Sequence, residues 1–292
     1  MTARSSQVSK KTLWVLAIVF SHSMKFRSRL FPFGVFCAAS AWCGTLSAFS
    51  APPVIPPVVA PVIGGSEVVA SDPVAQTTVL LKTGPHPNDL CSATLISESF
   101  AITAAHCLAG AVDGLQIIFG TNLATPASVK RISPVVAALA HPNYHSQAAQ
   151  DRLDVGIVKF TGGLPAGYHA VRLVQAAAVF RSGQTVWIAG YGTNDPASAL
   201  GFGVLRKTSV KIQTPRFGST EITLDESKGH GACYGDSGGP AFVKNSGELE
   251  IFAMTSRGAP GEPDCKTWAI YTLIRPHLEF FRWAANQLKE IR

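Results

Sequence analysis

The segment GACYGDSGGPAF, Gly231–Phe242, sets Asp236 and Ser237 between glycines and then passes directly into an apolar run. Glycine weakens the interior of a helix or strand, so this composition predicts a tight loop that leads into a strand. A charged side chain and a hydroxyl are more than a simple turn needs. Ser237 is therefore a candidate nucleophile, and its partners must come from elsewhere in the chain.

A serine hydroxyl is a weak nucleophile unless an imidazole accepts its proton and a carboxylate orients that imidazole. The segment ATLISESFAITAAHC at 93–107 supplies His106 where a predicted strand runs into a turn of small residues. The segment DRLDVGIVKF at 151–160 supplies two carboxylates. Asp154 directly precedes an apolar alternation that would bury it, and a buried carboxylate needs a partner such as an imidazole N–H. Asp154 is the main candidate, and Asp151 stays open as the alternative.

Short segments rich in Val, Ile, Thr and aromatic residues alternate with Gly, Pro, Asn and Asp between residues 77 and 274. Strands at this spacing predict an all-β sandwich or barrel. The segments are TTVLLKT, ATLISESFAITAA, LQIIFG, VVAALA, DVGIVKF, QTVWIAGYG, LRKTSVKI, PAFVK, LEIFAMTS and TWAIYTLI. The end of the chain differs, because apolar residues of RPHLEFFRWAANQLKE fall at steps of three and four and predict a docked helix. Its predicted buried face consists of Leu278, Phe281, Ala285 and Leu288.

The formal net charge of +7 is concentrated at the start of the 292-residue chain. Residues 1–50 contain six basic residues and no acidic one, which leaves 19 basic and 18 acidic residues in the remainder. A nearly neutral body gives no support for nucleic-acid binding.

The first 50 residues contain two apolar runs, at 13–20 and 30–50, and neither is a clean membrane span. The first is too short, and the second is interrupted by Pro and Gly. From Met24 the sequence has a basic start, an apolar middle and small residues at Ala48 and Ser50, which is typical of a secretory signal cleaved near Ser50. We predict a leader over 1–50 with Met24 as a possible start, and an uncleaved anchor on the first run stays open.

The segment APPVIPPVVAP at 51–61 contains five prolines and no charge, which predicts an extended linker or a short pro-segment. Beyond the leader the chain keeps an even number of cysteines, which suggests two disulfides in an exported protein. These cysteines are Cys91, Cys107, Cys233 and Cys265. Cys91 and Cys107 can close a loop beside His106. The spacing matches no zinc pattern, so we expect neither a metal nor another cofactor.

Several motifs together resemble the trypsin/chymotrypsin family of serine peptidases, in the same order along the chain. They are VIGG at 62–65, ITAAHC at 102–107, HPNY at 141–144 with DVGIVKF at 154–160, GYG at 190–192 and GDSGGP at 235–240. The order His, Asp, Ser distinguishes this family from the other two folds that carry the same triad. The resemblance covers about Val62 to Arg292 and implies two six-stranded Greek-key β-barrels packed together with a C-terminal helix.

The resemblance also implies roles for individual residues. Ser237 matches the nucleophile, His106 the general base and acid, and Asp154 the orienting carboxylate. The backbone N–H groups of Gly235 and Ser237 match the oxyanion hole, where a Cβ would obstruct close approach to the substrate.

Activation in this family implies a pair formed by Asp236 and the α-amino group that cleavage creates at Val62. The residue before Val62 is Pro61, where family precursors usually carry Arg or Lys. Cleavage by a tryptic enzyme is therefore not expected, and another protease, another cleavage site, or an Asp236 satisfied without a new terminus all stay open.

The matching substrate-binding positions are Gly231 at the pocket floor, Ser256 in the strand that pairs with substrate, and Gly258 and Ala269 on the walls. Cys233 and Cys265 would tie the two pocket edges together. Small uncharged lining predicts a preference for apolar side chains. Glu262 and Asp264 on the nearby loop could still reach a basic group.

We therefore expect a secreted serine endopeptidase, extracellular or periplasmic, that acts on protein or peptide substrates and meets proteinaceous inhibitors. No nucleic-acid partner and no membrane anchor after signal cleavage are expected. A non-catalytic binding protein on the same fold is the competing class, because a fold alone does not establish activity. An esterase with little peptidase action shares the chemistry and differs in the leaving group.

Overall fold

The computed structural model describes residues 62–110, 112–175, 179–198 and 200–291. The predicted leader at 1–50 and the predicted pro-segment at 51–61 lie outside the described residues. The described strands are β1 (Ser66–Glu67), β2 (Thr78–Lys82), β3 (Leu90–Leu95), β4 (Phe100–Thr103), β5 (Gln116–Gly120), β6 (Val129–Ala140), β7 (Gly156–Phe160), β8 (Arg172–Leu173), β9 (Thr185–Gly190), β10 (Arg206–Thr214), β11 (Glu221–Asp225), β12 (Pro240–Asn245), β13 (Glu248–Gly258) and β14 (Trp268–Leu273). Short 3₁₀ turns span Ala105–Leu108, Pro126–Ser128 and Arg275–His277, and the α-helix α1 spans Leu278–Leu288.

Two closed six-stranded antiparallel barrels confirm the predicted all-β class. The first closes in the order β2, β3, β4, β7, β6, β5, and the second in the order β9, β10, β11, β14, β13, β12 with β12 returning to β9. β1 pairs with β10, and β8 adds to β13 in parallel. Buried and exposed residues alternate along the strands, because successive side chains point to opposite faces of a sheet. On β10, Val210 and Ile212 are buried, whereas Ser209 and Lys211 are exposed.

Each barrel has its own apolar interior, and a third cluster joins them. Phe119 and Phe160 fill the first barrel, and Phe252 and Tyr271 belong to the interior cluster of the second. The joining cluster contains first-barrel residues such as Ile102 together with residues of β12, β13 and α1. Burial of this shared surface fixes the barrels against each other, so loops from both meet along one seam.

The helix α1 packs on the joining cluster, but through a face turned slightly from the predicted one. Phe281 and Leu288 are buried as predicted, whereas Leu278 and Ala285 lie at the half-buried edge. Phe280 and Ala284 take the central buried places. The predicted buried face of the helix was therefore incomplete. Because Phe280 and Phe281 are consecutive, the sequence does not show which of them lies at the centre of that face. No helix in the described residues is long and apolar enough to cross a membrane.

A buried ion pair fastens the loop before β7 to the second barrel. Arg257 on β13 donates Nη1 to Glu221 Oε1 at 2.6 Å and Nη2 to Oε2 at 3.0 Å. The Glu221 side chain is fully buried, and its oxygens also accept the backbone N–H groups of Asp151 and Arg152. Arg257 Nη2 donates to the carbonyl of Ala149 at 2.9 Å. This network holds the segment that leads into Asp154.

Replacing Arg257 by alanine should destabilise the protein by about 3–5 kcal/mol, because it leaves the buried Glu221 carboxylate without its cation. The matched control is Arg172→Ala, since the Arg172–Glu248 pair has side chains that are 72% and 63% exposed. That control should cost less than about 1 kcal/mol. Urea unfolding of both variants measures the loss in free energy of unfolding. Equal losses in the two variants would contradict the prediction that the buried pair contributes more to stability than the exposed one.

Stability should fall in mild acid because His277 is buried in a neutral form. The side chain is 3% exposed, and its Nε2 has no hydrogen-bond partner within the described ranges. Burial, with a smaller contribution from His141, lowers the pKa of His277 to about 4, while Asp151 acts in the opposite direction. An unfolded histidine titrates near pH ~6.5, so between there and pH ~4 the unfolded chain binds a proton that the folded chain does not.

The contribution of the neutral, buried His277 to the free energy of unfolding is therefore fully present above about pH 6.5. It is lost as the pH falls toward about 4, and the loss amounts to roughly 3 kcal/mol. Thermal unfolding at a series of pH values, for the wild type and for His277→Leu, isolates this share. The variant should show a flatter pH dependence. Parallel curves for the two proteins would refute the prediction.

Candidate active site

His106 lies on the 3₁₀ turn that follows β4, and its ring is held by Asp154. Nδ1 lies 2.8 Å from Asp154 Oδ2, and the backbone N–H of His106 donates to Oδ1 at 3.0 Å. The side chain is 32% exposed, so one edge reaches solvent. With Nδ1 bonded to a carboxylate, Nε2 is the ring nitrogen left to accept a proton.

Asp154 is buried at the junction of the barrels and remains ionised there. Ser256 on β13 donates its hydroxyl to Oδ2 at 2.6 Å. Burial acts to raise the pKa of Asp154, but hydrogen bonds from His106 and Ser256 outweigh it and hold the pKa below its ordinary value. A carboxylate in this state can orient an imidazole and stabilise its protonated form.

The alternative carboxylate, Asp151, faces a different partner. Its oxygens accept the N–H groups of Ser219 and Thr220 at 3.0 and 2.7 Å, and the Thr220 hydroxyl at 2.7 Å. The structure therefore brings Asp154, and not Asp151, into contact with His106. Asp151 instead holds the loop between β10 and β11 of the second barrel.

The loop of Ser237 is pressed against the first barrel beside the turn of His106. The carbonyl of Ser237 accepts the N–H of Ser92 on β3 at 2.8 Å. Gly238 has a φ of +77°, and a Cβ there would lie 2.1 Å from Thr103 Oγ1 and 2.5 Å from the carbonyl oxygen of Ser92. Glycine is therefore required for this close approach. Ser237 itself is half-buried.

Two disulfides frame the site. Cys91 is joined to Cys107, next to His106, and Cys233 is joined to Cys265. The sulfur atoms of Cys91 and Cys107 lie near the ring of His106, but both are consumed in the disulfide, so this group does not form a metal site.

Asp236 is buried next to the Ser237 loop and accepts backbone hydrogen bonds. The N–H groups of Gly192 and Cys233 donate to its two oxygens, each at 2.8 Å. Burial raises the pKa of Asp236 to about 7, although these hydrogen bonds and the charge of Arg206 oppose the increase. Val62 is also buried and packs in the same cluster as Ala232.

A cavity of about 540 Å³ opens beside Ser237. Of the predicted substrate-binding residues, Ser256, Gly258 and Ala269 line it, whereas Gly231 lies behind the lining and pairs with Ile63. Both residues of the Cys233–Cys265 disulfide are part of the wall.

Glu226 is a feature of this region that the sequence analysis did not identify. It follows β11, is 1% exposed, and accepts hydrogen bonds from the Ala232 N–H and the Tyr271 hydroxyl. Burial raises its pKa to about 8. The segment LDESKG carries no local signal for burial, because the contacts that bury Glu226 come from other strands.

The geometry agrees with comparisons to known proteins. The trypsin family model matches residues 62–283. A chymotrypsin-like serine proteinase from Haliotis rufescens is 27% identical over 242 residues, which cover 77% of this chain and 91% of that protein. Trypsin-1 from Astacus astacus is 24% identical, with 66% and 86% covered, and granzyme M from Homo sapiens is 27% identical, with 76% and 88% covered.

The family model covers well over half of the sequence and confirms the resemblance that the motifs indicated. The chain therefore belongs to the trypsin family of serine endopeptidases.

Proposed function

We propose that this chain is a secreted serine endopeptidase that hydrolyses peptide bonds through an acyl-enzyme, with Ser237 as nucleophile, His106 as general base and acid, and Asp154 as orienting carboxylate. The observation that carries the proposal is the ionised, buried Asp154 bonded to His106 Nδ1, next to a glycine loop that presents a half-buried serine. This arrangement supplies each group that acyl transfer by a serine needs.

In the first step the Ser237 hydroxyl passes its proton to His106 Nε2 while its oxygen attacks the peptide carbonyl. The tetrahedral oxyanion is received by the N–H groups of Gly235 and Ser237. Neither N–H donates a hydrogen bond to another described residue, whereas those of Asp236, Gly238 and Gly239 do. His106 then protonates the leaving amine as the C–N bond breaks. Water next gives a proton to His106 Nε2 and attacks the ester carbonyl, and His106 returns that proton to the Ser237 oxygen as the acid product leaves.

The walls of the cavity support a broad primary pocket. Gly258 and Ala269 leave it open, and the two charged residues in its lining are Arg257 and the exposed Glu262. This lining favours apolar side chains at the residue whose carbonyl is attacked. Arg257, which follows Ser256, is engaged by Glu221 and so does not reach toward acidic substrate groups.

Secretion rests on the leader pattern at 1–50 and on the two disulfides, which persist in oxidising compartments. Protein and peptide substrates and proteinaceous inhibitors are the partners proposed. A non-catalytic binding protein and an esterase are the competing functions, and covalent labelling together with ester and peptide substrates separates them from a peptidase.

Covalent labelling tests the nucleophile. A peptidyl phosphonate should label the trimmed protein at Ser237, because an activated serine attacks phosphorus as it attacks a carbonyl. Ser237→Ala should not be labelled, and His106→Ala should be labelled at least ~10³-fold more slowly. The matched control is Ser209→Ala, which alters an exposed serine on β10, away from the site. A folded, trimmed wild type that stays unlabelled would count against the proposal, and turnover of ester but not peptide substrates would favour the esterase.

Activation should require a free amino group at Val62. We propose that removal of the segment ending at Pro61 lets this group pair with Asp236, whose buried carboxyl is short of a cation. Protein released with Val62 as its first residue should be at least ~100-fold more active than protein that starts at Ala51, because an ordered Asp236 supports the oxyanion loop.

Asp236→Asn should remove most of that gain, and N-terminal sequencing of the mature protein identifies the natural cleavage site. Equal activity of the two forms on peptide substrates would show that Asp236 is satisfied without the new terminus.

A further inference from the structure

Arg257 lies beside Ser256, the residue that donates a hydrogen bond to Asp154. Its Nη1 lies 3.3 Å from Ser256 Oγ, and Ser256 Oγ lies 2.6 Å from Asp154 Oδ2. An arginine only donates hydrogen bonds, so the Ser256 oxygen accepts from Arg257 and its single proton is left for Asp154. The cation thus fixes the direction of the hydroxyl, and a hydroxyl that accepts from a cation donates more strongly.

A second connection runs from Arg257 to the backbone before Asp154. The two terminal nitrogens of the guanidinium bind the carboxylate of Glu221. The same carboxylate accepts the N–H groups of Asp151 at 2.9 Å and Arg152 at 3.3 Å. Glu221 begins β11 of the second barrel, whereas this turn joins β6 to β7 of the first barrel. The pair of Arg257 and Glu221 therefore holds the turn from across the seam between the barrels.

The backbone of this turn needs such support. Asp151 has a φ of +52° and Leu153 a φ of +54°, and both values lie in the left-handed region that residues with a side chain rarely adopt. Such conformations persist only where the surrounding structure holds them, and they are concentrated at functional sites. Asp154 is the next residue, so relaxation of the turn would displace the carboxylate that binds His106.

We propose that Arg257 and Glu221 are positioning residues for Asp154. Glu221 holds the strained turn, and Arg257 both anchors Glu221 and directs the Ser256 hydroxyl toward the carboxylate of Asp154. The inference rests on the proposed peptidase function, in which Asp154 orients His106. The Glu221 side chain is 0% exposed, so it acts without touching a substrate.

The two side chains carry opposite charges that compensate each other behind Asp154. Glu221→Gln leaves the cation of Arg257 uncompensated, and a cation disfavours the protonated imidazole of His106. Arg257→Met leaves the carboxylate of Glu221 uncompensated, and an anion favours that protonated form. Because only a neutral imidazole can accept the proton of Ser237, the two substitutions should move the acid side of the activity profile in opposite directions.

Other ionisable groups surround the same site. Tyr144 and the cation of Arg152 lie on the loop before β7, and burial, with the charge of Asp154, raises the pKa of Tyr144. Burial also raises the pKa of Asp236 to about 7 and that of Glu226 to about 8. These groups are the same in every variant, so a difference between variants is assigned to the pair of residues 221 and 257.

The test measures kcat and KM against pH for one peptide substrate, on trimmed enzyme whose active fraction is determined with the phosphonate. Glu221→Gln should lower the pH of half-maximal kcat/KM on the acid side by at least ~0.3 units, and Arg257→Met should raise it by a similar amount. A role confined to stability gives no such pair of shifts. Shifts in one direction, or no shift, overturn the inference.

The double variant Glu221→Gln/Arg257→Met covers the case in which a single variant folds poorly, because it leaves no charge of this pair buried without a partner. It should return the acid side to within ~0.2 pH units of the wild type and still lower kcat at least ~10-fold, since neither the turn nor the hydroxyl is held. KM should stay within ~3-fold, which separates lost positioning from a lost substrate contact of Arg257 in the cavity. A kcat within ~2-fold of the wild type, or a loss confined to KM, overturns the inference.

The matched control is the double variant Arg172→Met/Glu248→Gln. It removes an exposed ion pair at the other end of β13, because Glu248 is the first residue of that strand. It should leave both kcat and the acid side of the profile as in the wild type, and an effect equal to that of the buried pair overturns the inference. Labelled wild type with variants that behave like it removes this inference alone, whereas wild type that the phosphonate does not label removes the proposed function itself.

Discussion

The buried carboxylate of Asp154 is hydrogen-bonded by residues of both barrels, and the geometry of the candidate site depends on these bonds. It sits just before β7 of the first barrel, it is bonded to His106 from the turn after β4, and it accepts a hydroxyl from Ser256 of the second barrel. A carboxylate this deeply buried is tolerated only if its two oxygens receive hydrogen bonds. The two barrels must therefore pack in one fixed position for the site to be stable. The orientation of the imidazole is a direct result of that requirement.

Ser92 provides a second link across the same seam. Its backbone N–H donates to Ser237, its hydroxyl donates to the carbonyl of Gly235, and the same hydroxyl accepts the N–H of Tyr191. The loop that carries the candidate nucleophile thus belongs to the second barrel but is held by a strand of the first. Rigid strands support it on both sides, which is the arrangement that precise positioning of a reactive group needs.

Much of the fold could be predicted from the sequence, because most strands carry β-branched and aromatic residues in an alternating pattern. β11 could not, because EITLD has an acid at each end, and Glu221 becomes buried through a partner 36 positions away, Arg257. The position of Asp154 at a strand start already favoured it over Asp151 as the partner of His106. The actual role of Asp151 could not be predicted, because no local pattern shows its contacts with Thr220. Glu226 was missed for the same reason.

The close packing of Gly231 against Glu226 has a consequence for redesign of the pocket. An aspartate introduced at 231 would collide with the glutamate already there, and two carboxyl groups in one dry space would repel each other. Positions 226 and 231, five residues apart, therefore share one buried space behind the cavity. An acid at 231 would therefore need a smaller or neutral side chain at 226.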